Sequence, residues 1–129
     1  MNYQENLLHQ IEKRFINVTN LNLNLSQYPL NENCNLQKKN KKNSDKYGEV
    51  FTPLWLVDQM LSKVSIDEWK RFDLTTHDLC AGYGQMTIRM LRLRYQILGE
   101  NININDILSK YHLFSEIQLS SCLKLIYIF

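Results

Sequence analysis

Apolar positions recur at helical intervals in four places along the chain. Tyr3, Leu7, Ile11, Phe15 and Val18, with Leu8 beside them, form a stripe that predicts an amphipathic helix from about Asn2 to Val18. Val57, Met60, Leu61 and Val64 repeat at i, i+3, i+4 and i+7 and predict a second helix ending near Ser65. Thr52 and Pro53 open it, since threonine can cap free N–H groups and proline tolerates the first helical position. Ile66 to Phe72 reads as a further turn of helix. Met86, Met90, Leu91, Leu93, Ile97 and Leu98 predict a third long helix from Gln85 to Leu98, stopped by Gly99. Its polar face carries Arg89, Arg92 and Arg94, read most simply as solvated charge. Leu119, Leu123 and Ile126 mark a last helix.

Two short segments, Leu74 to Leu79 and Tyr111 to Ser115, separate these helices and read as strands, the second of them buried. An alternation of Leu21, Leu23 and Leu25 suggests another, although the intervening asparagines are poor strand formers. Glu100 to Lys110 has no clear period beyond a short helix from Asp106. From Thr52 onward the order is helix, strand, helix, strand, helix, the pattern of an α/β unit with parallel strands. Residues 1–30 form an N-terminal helical extension and residues 31–45 a Lys/Asn-rich linker, ahead of the α/β unit in residues 46–129.

Composition narrows the partners. Hydrophobic residues make up 44% of the 129, as in a folded globular chain, and there is no apolar run long enough to span a membrane. A formal net charge of +2 excludes a polycation, so affinity for nucleic acid has to come from a local patch. Lys38, Lys39, Lys41 and Lys42 in the linker are the candidate patch, either as a solvated segment or as a phosphate-tracking loop. Cys34, Cys80 and Cys122 are odd in number and lack CxxC spacing, which predicts reduced thiols in a cytoplasmic protein and no zinc site. Cys80 reads as a small buried hydrophobe, and His77 as a local hydrogen bonder.

The chemistry concentrates in DLCAGYGQMT, residues 78 to 87. A strand ending on Asp78, a turn containing Gly82 and Gly84, and a helix from Gln85 suit a ligand carrying a nucleoside. Glycines let the backbone turn tightly and approach a ligand closely, and the helix start offers free N–H groups. Glu116, ending the second strand, can accept hydrogen bonds from both hydroxyls of a ribose. The dinucleotide fingerprint fails, because Thr87 stands at its third glycine and Glu116 follows Gly84 by 32 residues where about 20 are usual.

Together with Lys46-Tyr47-Gly48-Glu49-Val50-Phe51-Thr52-Pro53 upstream and Ser115-Glu116-Ile117 downstream, this turn resembles the cofactor-binding part of S-adenosylmethionine-dependent DNA adenine-N6 methyltransferases of restriction–modification systems. Asp78, Gly82 and Gly84 match the family's acidic-Pro-Ala-Cys-Gly-x-Gly-x-Phe turn. Leu79, Cys80 and Ala81 fit it loosely, and Met86 replaces the aromatic. The resemblance covers about residues 46 to 118. It implies a partial Rossmann-like methyltransferase unit of about two parallel strands with flanking helices.

The resemblance also implies roles. Phe51, Thr52 and Pro53 would line the methionine end of S-adenosyl-L-methionine. Asp78, Ala81, Gly82 and Gly84 would form the turn around methionine and sugar, Glu116 would hold the ribose, and Ile117 would lie against adenine. The family's catalytic Asn/Asp-Pro-Pro-Tyr/Phe motif is missing, since the only prolines are Pro29 and Pro53, so no catalytic residue is assigned. The expectation is therefore a truncated or split enzyme, inactive alone. It would associate with itself or with a second polypeptide that completes the sheet, and meet DNA only in that company. The competing expectation is a non-catalytic protein binding nucleic acid or a partner on a methyltransferase-like scaffold.

Overall fold

The computed structural model describes residues 2–20 and 52–129. The expected strand at Leu21 to Leu25, the linker, its four lysines, Cys34 and Phe51 lie outside the described residues.

Helix α1 (Tyr3–Thr19) begins where the Asn2 side chain accepts the Glu5 N–H at 2.8 Å, and ends at Asn20 in the left-handed conformation. Leu8, Ile11 and Phe15 form its buried stripe, while Tyr3 at the predicted edge of that stripe is exposed. Helix α2 (Leu54–Leu61) is capped by Pro53 and not by Thr52: the Pro53 carbonyl accepts from Leu56 and Val57, and no side chain caps the end. Its buried face runs Leu54, Val57, Asp58 and Leu61, rotated from the predicted one so that Met60 and Val64 are exposed. Ser65 caps the short α3 (Ile66–Trp69), whose Trp69 is buried with its indole N–H donated to the Leu61 carbonyl at 3.2 Å.

Strand β1 (Thr76–Asp78) leads through the glycine turn into α4 (Gln85–Leu98), which has the predicted boundaries. Gly99, at φ 58°, ends α4 in a conformation that costs other residues strain. A 3₁₀ turn (Gly99–Asn101) and a short α5 (Ile104–Asp106) follow, running into a π-helical turn at Ile107–Tyr111. Strand β2 (His112–Phe114) then pairs in parallel with β1, Thr76 opposite His112 and Asp78 opposite Phe114. Helix α6 (Leu119–Ile128) closes the described order. The α/β expectation therefore holds in its coarse form, a mixed fold whose described residues include a two-stranded parallel sheet.

Helices cover one face of this sheet. Thr76, Asp78, His112 and Phe114 turn towards them, whereas His77 and Leu113 are exposed on the other face. The core is assembled from Leu8, Ile11 and Phe15 of α1, Leu54, Val57 and Leu61 of α2, Ile88 and Leu91 of α4, and Ile102, Ile104 and Ile107 after it. Helix α4 packs against α1, α2 and α3, and so has no broad solvent face.

That position overturns the solvated reading of the three arginines, all of which are buried. Arg89 reaches α2, with Nε and Nη2 on the two Asp58 carboxylate oxygens at 2.8 and 3.0 Å. Arg92 reaches α1 and pairs with both oxygens of buried Glu12. Burial raises the Glu12 pKa above its ordinary value despite the opposing pull of Arg92. Arg94 reaches the end of α3, donating to the Trp69 carbonyl at 3.1 Å and to that of Arg71. A helix packed on several sides presents its long cations to partners, because a guanidinium needs acceptors wherever water is excluded.

The last helix also differs from its predicted face. Ser121, Leu125 and Ile128 point inward, and Leu119, Leu123, Ile126 and Tyr127 are exposed. The Ile128 carbonyl accepts from Arg14 Nε at 2.9 Å, which ties α6 to α1. Among the described residues no helix is long and apolar enough to cross a membrane.

Candidate cofactor site at the glycine turn

Beyond β1 and β2 the two chains remain hydrogen-bonded: Ser115 donates to the Asp78 carbonyl at 2.8 Å, and Ala81 donates to the Ser115 carbonyl at 2.9 Å. This continuation brings the residues after β2 alongside the glycine turn. Gly82 (φ 58°) and Gly84 (φ 85°) are both left-handed, and the Gly84 N–H closes the turn on the Ala81 carbonyl at 2.8 Å. The Gly84 carbonyl then accepts from Ile88 at 2.9 Å, starting α4. Gly84 has a second reason to be glycine, because a Cβ there would sit 2.5 Å from Phe129 Cε2 and 3.1 Å from Leu125 Cδ2.

The Glu116 carboxylate lies against this turn. One oxygen accepts the Gly82 N–H at 2.7 Å and the other the Gln118 N–H at 3.2 Å, while the Glu116 carbonyl accepts from Cys122 Sγ at 3.3 Å. Two oxygens offer about four lone-pair positions, so the carboxylate can accept further donors while keeping both backbone bonds. On one side Glu116 borders a hollow of about 360 Å³ whose other walls are Phe114, Cys122, Leu125, Ile126 and Phe129. A single carboxylate on an otherwise apolar concavity is the chemistry a nucleoside needs: aromatic and aliphatic walls for a base, and an acceptor for hydroxyls.

Asp78 borders a different hollow of about 270 Å³, with Thr76, His77, Thr87, His112 and the apolar side chains of Leu61, Trp69, Met86 and Met90. Burial raises its pKa, the Cys80 backbone N–H lowers it, and the nearby charge of Glu116 raises it further. Beside it His112 is held between two hydroxyls, Thr76 Oγ1 at 2.6 Å from Nδ1 and Thr87 Oγ1 at 2.7 Å from Nε2. A neutral imidazole serves both, as donor to one and acceptor from the other; burial accordingly depresses its pKa from 6.5 to about 4. His77 Nε2 lies 2.7 Å from Ser115 Oγ, the local bonding expected for it. Cys80 is exposed, contrary to its reading as a buried hydrophobe, because it stands on the outer side of the turn after β1 has ended.

Of the residues implied by the resemblance, Asp78, Ala81, Gly82, Gly84 and Glu116 come together. Ile117 is 93% exposed and stands outside both hollows, and Thr52 and Pro53 line neither. Phe114, Leu125, Ile126 and Phe129 were missed as lining residues. The apolar run Leu125 to Phe129 is the one sequence signal for the last three, and it carries no motif. No protein-family model, curated protein or solved structure matches this chain significantly.

Proposed function

We propose that this chain is the S-adenosyl-L-methionine-binding part of a site-specific DNA adenine-N6 methyltransferase. The observation that carries the reading is the bond from the Gly82 N–H to Glu116, residues separated by 34 positions yet 2.7 Å apart. It sets an acid beside a glycine turn at the carboxyl ends of parallel strands, the usual position of a ligand crevice in α/β sheets. The residues fit the nucleoside half of the cofactor: Glu116 for the ribose hydroxyls and the Phe114, Ile126 and Phe129 walls for the base. Asp78, at the neighbouring hollow, suits the ammonium of the methionine half.

When bound, the cofactor supplies an electrophilic methyl group on a sulfonium. The part played by this chain is to hold that group in place and away from water, with no proton transfer of its own. The acceptor-binding motif would come from a further polypeptide segment. Support for such a partner lies in a sheet that has only two strands among the described residues, in exposed Leu113 on the face away from the helices, and in exposed Leu119, Leu123 and Tyr127 on α6. Parallel sheets are ordinarily covered on both faces.

Calorimetric titration with S-adenosylmethionine tests the reading. Saturable binding is expected, weakened about tenfold or more in Glu116→Ala through lost ribose bonds. Wild-type binding no tighter than that of Glu116→Ala and Asp78→Ala would refute it.

A further inference from the structure

Helix α6 has three sides. Ser121, Leu125 and Ile128 face the core, where the Ile128 carbonyl accepts from Arg14 of α1. Cys122, Leu125 and Ile126, with Phe129 just after the helix, form a wall of the hollow of about 360 Å³. The third side is bare. Leu119, Leu123 and Tyr127 stand on it four residues apart, at 73%, 58% and 53% exposure, and Ile126 at its border is 76% exposed. Residues spaced by four are neighbours along one side of a helix, so these side chains form a continuous strip.

Two properties of the strip point to its occupant. The first is charge. Lys124 is the only charged side chain of α6, and it turns away from the strip: its Nζ lies 2.9 Å from the Tyr83 hydroxyl and 4.2 Å from the centre of that ring. An uncharged strip can meet its own copy with no like charges opposed, and it has nothing with which to answer a charged partner. The second is symmetry. Leu119 and Tyr127 lie equally far to either side of Leu123, and so do exposed Ser120 and Ile126. A two-fold axis through Leu123 therefore sets Leu119 of one copy against Tyr127 of the other, Leu123 against its counterpart, and Ile126 against the small Ser120. A contact between identical copies about a two-fold axis needs a patch that complements itself in this way. The four apolar side chains offer on the order of 500 Å² per copy, or about 1,000 Å² for a pair, which reaches the lower bound of specific interfaces.

We propose that a second copy of this chain docks on the strip, α6 against α6, antiparallel about Leu123. The pairing leaves the face of the sheet away from the helices, with exposed Leu113, for the segment that carries the acceptor motif. It stands or falls without the cofactor reading.

Sedimentation equilibrium of the whole chain over a range of concentrations tests the pairing. The wild type is expected to behave as a monomer–dimer system. Leu119→Lys and Tyr127→Glu each set a charge against an apolar side chain, and each alone is expected to weaken the dimer about tenfold or more. Mixed in equal amounts, the two variants are expected to regain most of that loss. In the mixed dimer the new ammonium faces the new carboxylate, and the remaining Leu119 faces the remaining Tyr127. Neither change touches Ile126, which lines the hollow.

A wild type that stays monomeric throughout would overturn the proposal and leave the strip to a different protein. Association unaffected by either change would overturn it too, by moving the contact to another surface. So would a mixture no tighter than its components, since parallel pairing sets Leu119 against Leu119. If a variant does not fold, wild-type copies carrying different isotope labels decide. NMR contacts from the Leu119 methyls of one copy to the Tyr127 ring of the other are expected, and their absence in the dimer rejects the pairing.

Discussion

The Phe129 ring occupies the space that a side chain on residue 84 would need, with Cε2 2.5 Å from the position of a Gly84 Cβ. Gly84→Ala therefore carries two penalties, a left-handed backbone costing about 1 kcal/mol and a collision with α6. The expected loss is about 2–4 kcal/mol in urea unfolding. Phe129→Ala in the same chain is expected to recover the collision and leave the backbone cost. Strictly additive effects of the two substitutions would show that the ring and the turn are not in contact.

The Arg89–Asp58 pair makes a second, sharper test. Asp58→Ala leaves a guanidinium in the core and is expected to cost about 3–5 kcal/mol. Replacing both residues with apolar ones, Asp58→Leu with Arg89→Met, is expected to restore most of that, because neither charge then has to be desolvated. A double variant as unstable as the single one would mean that the pair's value lies in its own attraction.

Acid sensitivity follows from His112. Its folded pKa of about 4 lies below the ordinary 6.5, so the unfolded chain binds more protons between those values. Stability from this group is complete above pH 6.5 and is lost as pH falls towards 4. The loss is on the order of 2 kcal/mol after allowing for solvent screening. Glu12 and Asp78 act oppositely, since their raised pKa values favour proton uptake by the folded state. Comparing wild type with His112→Gln across pH 4 to 7 isolates the histidine. An unchanged pH slope would place the imidazole elsewhere than between Thr76 and Thr87.

Exposed Leu119, Leu123 and Ile126 recur at helical spacing on the outer side of α6. Leu119→Lys together with Leu123→Glu is expected to reduce concentration-dependent association in sedimentation while leaving stability within about 0.5 kcal/mol of the wild type. A large loss of stability would show that this stripe is packed.

The sequence pattern located every described helix that is long enough to show a period, and both strands to within two residues of their ends. It failed where two faces of a helix compete. On α4 the arginines looked like a solvent face because period alone does not tell a solvated cation from one answered by Asp58 or Glu12 on another helix. On α6 the larger apolar side chains marked a stripe, but Leu125 and Ile128 were drawn inward by contact with the glycine turn and α1. The candidate site was legible as far as Gly82 and Gly84, whose positive φ favours glycine, and Asp78 and Glu116, acids that stand at or just past the strand ends. Phe129 was not, since its contact with Gly84 spans 45 residues and depends on how α6 folds back.

The crossover between β1 and β2 has a consequence for the order of events in folding. Thr76 meets His112 only after an intervening loop of more than thirty residues has closed, and that closure is compact only once α4 is formed. Contacts of such long range tend to be late and to set the rate of folding. The buried Gly82 amide, bonded to a carboxylate from beyond β2, would thus exchange with solvent at the pace at which the strands part, and its protection would be a clock for the opening of the sheet.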